Sequence, residues 1–225
     1  SPYTIELPAG YRDEFTLDLG WAVSSTAPRG EWEHGAPVGT TFGNAASNPG
    51  ADLADDCGTE AYVTGNGGGE AGDDDVDDGS TTLESPEFNG SAMLDPHVRY
   101  HRWFFNAGGS GAPNDRLRVQ LSNGLQTVTV ETITAATPGM GSWQEVELRI
   151  ADFIEPTAQM TIRFIAEDLA PGHLVEAGVD GFEVVDLGVS GMAEIGGMDV
   201  RVWPSPNHSF FIYFFILSLS LSFIV

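Results

Sequence analysis

The 225-residue chain contains no lysine and only one cysteine, and each shortage narrows what it can do. Cys57 stands alone, so no internal disulfide forms; that suits a bacterial extracellular module whose stability does not depend on disulfides, with Cys57 as a passive thiol. The nine basic residues are all arginine and face 33 acidic ones, for a net charge of −24. Phosphate backbones are bound by clustered Lys and Arg, so no nucleic-acid partner is expected. Acidic excess with Arg in place of Lys points to a secreted protein from a salty or GC-rich source. Its self-repulsion would be relieved by salt or divalent ions. H-E-x-x-H, G-x-S-x-G and C-x-x-C are all missing, as is any amphipathic helix pattern of useful length. The chain starts at Ser1 with neither initiator Met nor signal peptide and reads as a fragment of a longer polypeptide.

What is present is β pattern. Hydrophobic residues make up 41% of the chain and aromatics 10%, enough for one sizeable core. From Asp13 onward, short alternating runs are separated by Gly, Pro, Asn and Asp clusters. Leu117, Val119 and Leu121 share one face while Arg116, Arg118 and Gln120 share the other. Ser122-Asn123-Gly124 then signals a hairpin through a type I′ turn, with Val128 and Val130 alternating on the return strand. Val146, Leu148 and Ile150 alternate in the same way. The runs 159–166 and 174–185 are apolar on both faces and are expected to be central strands. Roughly eight to ten strands at this spacing predict an all-β, two-sheet antiparallel sandwich or jelly roll. Residues 1–12 read as the end of an upstream domain or a linker, 13–187 as the module, 188–198 as a small-residue linker and 199–208 as the start of a new unit. The tail 209–225 is free of charge, Gly, Ala and Pro. At 17 residues it falls short of the ~20 that span a bilayer, and it has no basic flank. It is a membrane anchor or the product of a frame shift.

The most unusual stretch runs from Gly65 to Pro86. Three glycines, Gly67–Gly69, precede five aspartates within the six residues 73–78, and no Lys or Arg lies between Arg29 and Arg99. Gly67 to Gly72 formally matches G-x-G-x-x-G, but the aspartates that follow would repel a pyrophosphate, so a dinucleotide site is rejected. Asp73, Asp75 and Asp77 with Glu84 imitate an EF-hand loop. Its sixth position is Asp78 where Gly is required, and no helices flank it. Calcium held by a β loop through Asp73, Asp75 and Asp77 is the functional reading, against a merely solvated acidic connection. Of the tryptophans, Trp21 and Trp103 read as core, whereas Trp32 and Trp143, read as loop residues, are the candidates for stacking on a ligand sugar. Glu176 lies in an apolar strand and is expected to pair with Arg102 or Arg163, since a lone buried carboxylate is costly. His97 and His101 share a strand face at a spacing too wide for easy chelation.

Several phrases recur in an order that resembles a known module. They include Asp18-Leu19-Gly20-Trp21, Gly30-Glu31-Trp32-Glu33, Ala61 to Asn66, Asp75 to Pro86, Tyr100-His101-Arg102-Trp103, Arg163 to Asp168 and Val175 to Phe182. Together they resemble a MAM-like β jelly-roll module of bacterial secreted proteins, often appended to peptidases. The resemblance spans about 13–187 and implies an accessory domain without catalytic residues, helping a larger extracellular enzyme bind glycan or protein. Such modules often hold a structural calcium between their first and last strands, for which Asp13, Glu14 and Asp180 are the matching positions. Val200 to Asn207 is similar to the opening of a type IX secretion sorting tail, with Ser205 in place of its usual Asn. Tyr3 to Leu7 resembles either the strand that carries the general base of zinc carboxypeptidases, which would be Glu6, or the last strand of some other β domain. The alternatives are therefore the C-terminal part of a zinc carboxypeptidase-like enzyme and a structural adhesin or surface module. No residue pattern names a particular ligand or an oligomeric state.

Overall fold

The structure, a computed structural model, describes residues 10–54 and 56–188. Glu6, the sorting-tail-like unit and the apolar run 209–225 lie outside them. Among the described residues no helix is long and apolar enough to cross a membrane.

The strands, in chain order, are β1 (Tyr11–Asp13), β2 (Ala22–Ser25), β3 (Trp32–Gly35), β4 (Thr41–Phe42), β5 (Ala45–Ala46), β6 (Ala61–Thr64) and β7 (Ser80–Glu84), then β8 (Pro96–Ala107), β9 (Arg116–Ser122), β10 (Thr127–Thr134), β11 (Gln144–Arg149), β12 (Thr161–Glu167) and β13 (Leu174–Asp186). One sheet has the order β11-β8-β13-β6-β3, with β1 pairing the far half of β13; the other runs β10-β9-β12-β7-β2. All pairings are antiparallel, and β4 with β5 forms a separate ribbon. This is the expected two-sheet sandwich. The strands beyond the expected count are short pieces in the Gly-rich first half, where two to four residues give no alternation to read.

Alternation places the core between the sheets. Leu117, Val119 and Leu121 of β9 are fully buried, as are Ile162, Phe164 and Ala166 of β12 and Val175, Ala177, Val179 and Phe182 of β13. Aromatic rings fill the middle: Trp21 meets Phe182 edge-on at 5.0 Å, and Tyr100 meets Phe164 at 5.0 Å. The two doubly apolar runs become β12 and β13, each third in its sheet, as expected.

The β9–β10 hairpin forms, but around a different turn. Its loop is four residues, since Thr127 pairs with Ser122, and only Gly124 takes a positive φ, at 78°. Asn123 keeps a negative φ and instead accepts from the N–H groups of Leu125 and Gln126 at 3.1 and 3.0 Å. This Asx turn does the work that the type I′ turn was expected to do.

The outer face of β13 is covered. The segment after β3 lies across it: Trp103 donates to the Ser47 carbonyl at 2.6 Å, Trp143 to that of Ala51 at 3.1 Å, and the Leu53 N–H to Asp180 at 3.0 Å. Asn48 binds the carbonyls of Thr64 and Gly65 at 2.9 and 2.6 Å. This cover buries both faces of β13 from Leu174 to Asp180, although the outer one carries Glu176 and Asp180.

Candidate functional site: an acidic cleft at one end of the sandwich

The acidic tract is fixed by the one apolar residue inside it. Val76 is fully buried in the core, and its N–H donates to the Val175 carbonyl at 3.0 Å. Asp75 and Asp77 flank it. Asp75 is turned inward, where its Oδ2 accepts the Val175 N–H at 3.1 Å. Gly30 lets a neighbouring turn press against this segment: it sits at φ +67°, and a Cβ there would collide with the Asp75 carbonyl and the Val76 nitrogen. Asp78, at φ +46°, then turns the chain into β7 and donates its N–H to Asp168 Oδ2 at 2.8 Å. Asp tolerates that left-handed position better than most residues.

These loops enclose a cleft of ≈ 630 Å³. Its walls come from the β4–β5 ribbon (Thr41–Gly43), the acidic tract (Glu70–Gly72, Asp75, Asp77, Asp78), the turn after β8 (Gly108, Gly109) and the β12–β13 connection (Asp168, Gly172–Leu174). Phe42 stands at the rim, 44% exposed, its ring edge-on to Phe105 at 6.3 Å. Asp168 and His173 form the floor with Asp115 buried behind them, and the three side chains bring one donor atom each within 4.8 Å of one another. His173 Nδ1 lies 3.0 Å from Asp115 Oδ2. Backbone and amide donors hold both carboxylates: Leu169 N–H and Asn106 Nδ2 on Asp115, each at 2.7 Å, and Asp78 and His173 N–H on Asp168.

Negative charge accumulates here with little to offset it. Burial pushes the Asp75 carboxyl up to about 7, against the hydrogen bond from Val175 and helped by the charges of Asp77 and Asp168. Asp168 is raised for the same first reason, with Asp115 and Asp77 adding to it. The basic group beside the tract is Arg29, whose Nε is 3.8 Å from Asp77 across an exposed gap, so solvent screens it.

The expected site residues divide sharply. Asp75 and Asp77 reach the cleft. Asp73 does not line it; its Oδ2 caps the loop by accepting the Glu70 N–H at 3.0 Å. Asp13, Glu14 and Asp180 do not converge. Asp13 points into the core, where Phe15 N–H, Trp21 Nε1 and the Tyr11 hydroxyl donate to it at 2.8, 2.9 and 3.1 Å. Asp180 points to the covered outer face and takes the N–H groups of Leu53 and Gly181, and Glu14 pairs with Arg12.

Trp32 is corrected from surface to core. It lies on β3, 3% exposed, its indole N–H donating to the Thr81 carbonyl of the opposite sheet at 3.2 Å. No face is left for a sugar. Trp143 is half-buried and packs edge-on against Trp103 at 5.7 Å, over Gly178, where an added Cβ would come within 2.8 Å of its ring.

The ion pairs expected of Glu176 are also corrected. It faces outward from β13 and accepts the Thr64 hydroxyl at 2.9 Å. Arg102 faces the interior and pairs with Glu131, while Arg163 pairs across strands with Glu84 at 3.0 Å. Burial drives the Glu176 carboxyl well above the usual range; the Thr64 bond opposes the shift and the charges of Asp75 and Asp74 add to it. The Thr64 hydroxyl, and not an arginine, is the partner this buried carboxyl takes.

Sequence reasoning missed Phe42, Asp115, Asp168 and His173 as site residues. An aromatic side chain directly before Gly43 in a polar stretch was a signal for the first. Asp168 and His173 bracket Pro171-Gly172, a pairing of ligand types around a turn. Asp115 carries no local mark.

No family model matches the sequence, and no curated protein matches it. Solved structures do. The K1 cleaved adhesin domain of Lys-gingipain from Porphyromonas gingivalis W83 is 13% identical, with a TM-score of 0.50 over 80% of this chain and 99% of that one. TmCBM61 in complex with β-1,4-galactotriose is 16% identical, with a TM-score of 0.44 over 77% and 90%. The family 11 carbohydrate-binding module from Clostridium thermocellum, in complex with a β-1,3-1,4-mixed-linked tetrasaccharide, is 14% identical, with a TM-score of 0.37 over 79% and 96%. At these identities the likeness to the K1 domain is one of fold: a β-sandwich module.

Proposed function

We propose that residues 10–188 form a non-catalytic binding module of a larger secreted polypeptide, which takes glycan or protein surfaces into the acidic cleft beneath Phe42. The observation that carries this is the pairing of an exposed aromatic ring with a carboxylate-lined cleft. An apolar sugar face can lie on Phe42 while its hydroxyls meet polar groups below, the usual division of labour in ligand pockets. The extent of the likeness to the K1 adhesin domain, whose whole chain this fold matches, supports the reading.

Calcium would be held in the acidic wall of this cleft. The residues that would hold it are Asp75 and Asp77, whose carboxylates are of the hard oxygen type that calcium takes. Bound there, the ion would neutralise the tract and offer a Lewis-acidic contact to ligand hydroxyls. The sequence resemblance adds an enzyme, which the full-length gene tests: an upstream His-x-x-Glu zinc motif is expected if the module serves a carboxypeptidase-like peptidase. The binding claim itself is tested on a glycan array with calcium or EDTA. The expected result is calcium-dependent binding that Phe42→Ala abolishes; equal binding by wild type and Phe42→Ala would place the ligand elsewhere.

A further inference from the structure

The trio at and behind the floor of the cleft has a chemistry that the acidic wall lacks. The side chains of His173 and Asp115 are wholly buried, and Asp168 is nearly so. The donors to the two carboxylates are Leu169, Asn106, His173 and Asp78, all neutral amide N–H groups. Two buried carboxylates this close are costly without a cation among them. Neither ring nitrogen of His173 has a hydrogen-bond partner of acceptable geometry, and Asn106 Oδ1 is buried without one as well.

An imidazolium at His173 is the competing explanation. It would carry an N–H on both ring nitrogens. The proton on Nε2 would then be buried with no acceptor, and the Nδ1 approach to Asp115 lacks hydrogen-bond geometry. A metal ion on Nδ1 accounts for that atom, which lies beside Asp115 Oδ2 without hydrogen-bond geometry, and leaves no positive charge on the buried ring. The 3.0 Å between Nδ1 and Asp115 Oδ2 is close to the ~3.4 Å edge of a tetrahedron with bonds of ~2.0–2.1 Å.

We propose that Asp115, Asp168 and His173 form a site for a transition-metal dication of the zinc class. The imidazole makes the choice: calcium takes oxygen ligands, whereas nitrogen with carboxylate oxygen suits zinc and its neighbours. Each carboxylate oxygen is already oriented by an N–H donor, the outer-shell arrangement that metal sites use. Asp168 and His173 also line the cleft, which leaves a fourth position to solvent or to a ligand atom. This site does not rest on the binding function or on calcium at Asp75 and Asp77.

The test uses the full chain stripped with a chelator. Calorimetry with zinc chloride is expected to show one tight site per chain, and cobalt chloride to give a visible d–d absorption band. His173→Gln and Asp115→Asn are expected to lose the band and at least the ~10–100-fold in zinc affinity that even an outer-shell change costs. Absence of tight zinc binding, or affinity unchanged in a folded His173→Gln, would overturn the proposal. If His173→Gln does not fold, the side-chain ¹⁵N signals of His173 in the wild type decide: they shift on zinc addition if the ring ligates, and unmoved signals overturn the site. A calcium-induced melting shift is read separately, so the two ion readings fail independently.

Discussion

Glu131 of β10 and Arg102 of β8 meet across the interior of the sandwich, with Oε1 2.6 Å from Nη2 and 2.9 Å from Nε. The other carboxylate oxygen takes the Tyr100 hydroxyl at 2.9 Å. Glu131 points inward because a bulge between Thr129 and Glu131 shifts the alternation of β10 by one residue. Removing one partner leaves a charge in a mostly buried place, at a cost of about 3–5 kcal/mol. Arg102→Met is expected near the lower end, because Glu131 keeps some exposure. The double change Arg102→Met with Glu131→Leu is expected to recover most of that loss, measured by urea denaturation.

The two tryptophans once paired as surface candidates are expected to separate in the same assay. Trp32→Ala opens a hole between the sheets and should cost about 3–5 kcal/mol. Trp143→Ala removes a half-buried ring lying over Gly178 and should cost about half that or less. Equal losses would mean that Trp32 is not a core residue.

Much of the sandwich was legible. Regular alternation in β9 follows from burial of one face, and the apolar runs of β12 and β13 from their central places in the two sheets. The site was harder. Trp32 sits among Gly30, Glu31 and Glu33, which read as loop, and only the opposite sheet shows that its ring points inward. The pattern assigns Glu176 an arginine because its burial is visible there but its hydroxyl partner, Thr64, is not. Within the acidic tract, Val76 marked which aspartates are held: the residues beside the buried anchor reach the cleft, and Asp73, further out, caps a turn. Asp115 and His173 meet only because β9 and β13 begin at the same end of the fold, which no local pattern announces.

Stability should depend on pH in the metal-free protein. Burial first, then the charges of Asp56 and Asp52, push the Asp180 carboxyl up to about 7, against hydrogen bonds from Leu53 and Gly181. Its unfolded value is the ordinary ~3.9. Between those values the folded state binds more protons than the unfolded one, so stability falls as pH rises from about 4 to about 7. Denaturation in EDTA at pH 5 and pH 8 should show the lower midpoint at pH 8, and Asp180→Asn should reduce the difference.

Gly30→Ala tests how the acidic tract is held. The added methyl group meets the Asp75 carbonyl at a backbone angle that alanine disfavours, so a loss of about 2 kcal/mol or more is expected. Weaker cation binding should accompany it, because Asp75 and Asp77 would be displaced. Calorimetry on the folded variant checks this.

The most direct test of a cation-organised binding module is its thermal melting in EDTA and in excess calcium. At 100 times the dissociation constant, a ligand specific to the folded state adds about 2.7 kcal/mol. For a domain of this size that corresponds to a rise of roughly 5–10 °C. The account predicts this rise in the wild type and its loss in Asp75→Asn/Asp77→Asn. A melting temperature that is the same in EDTA and in calcium would contradict it.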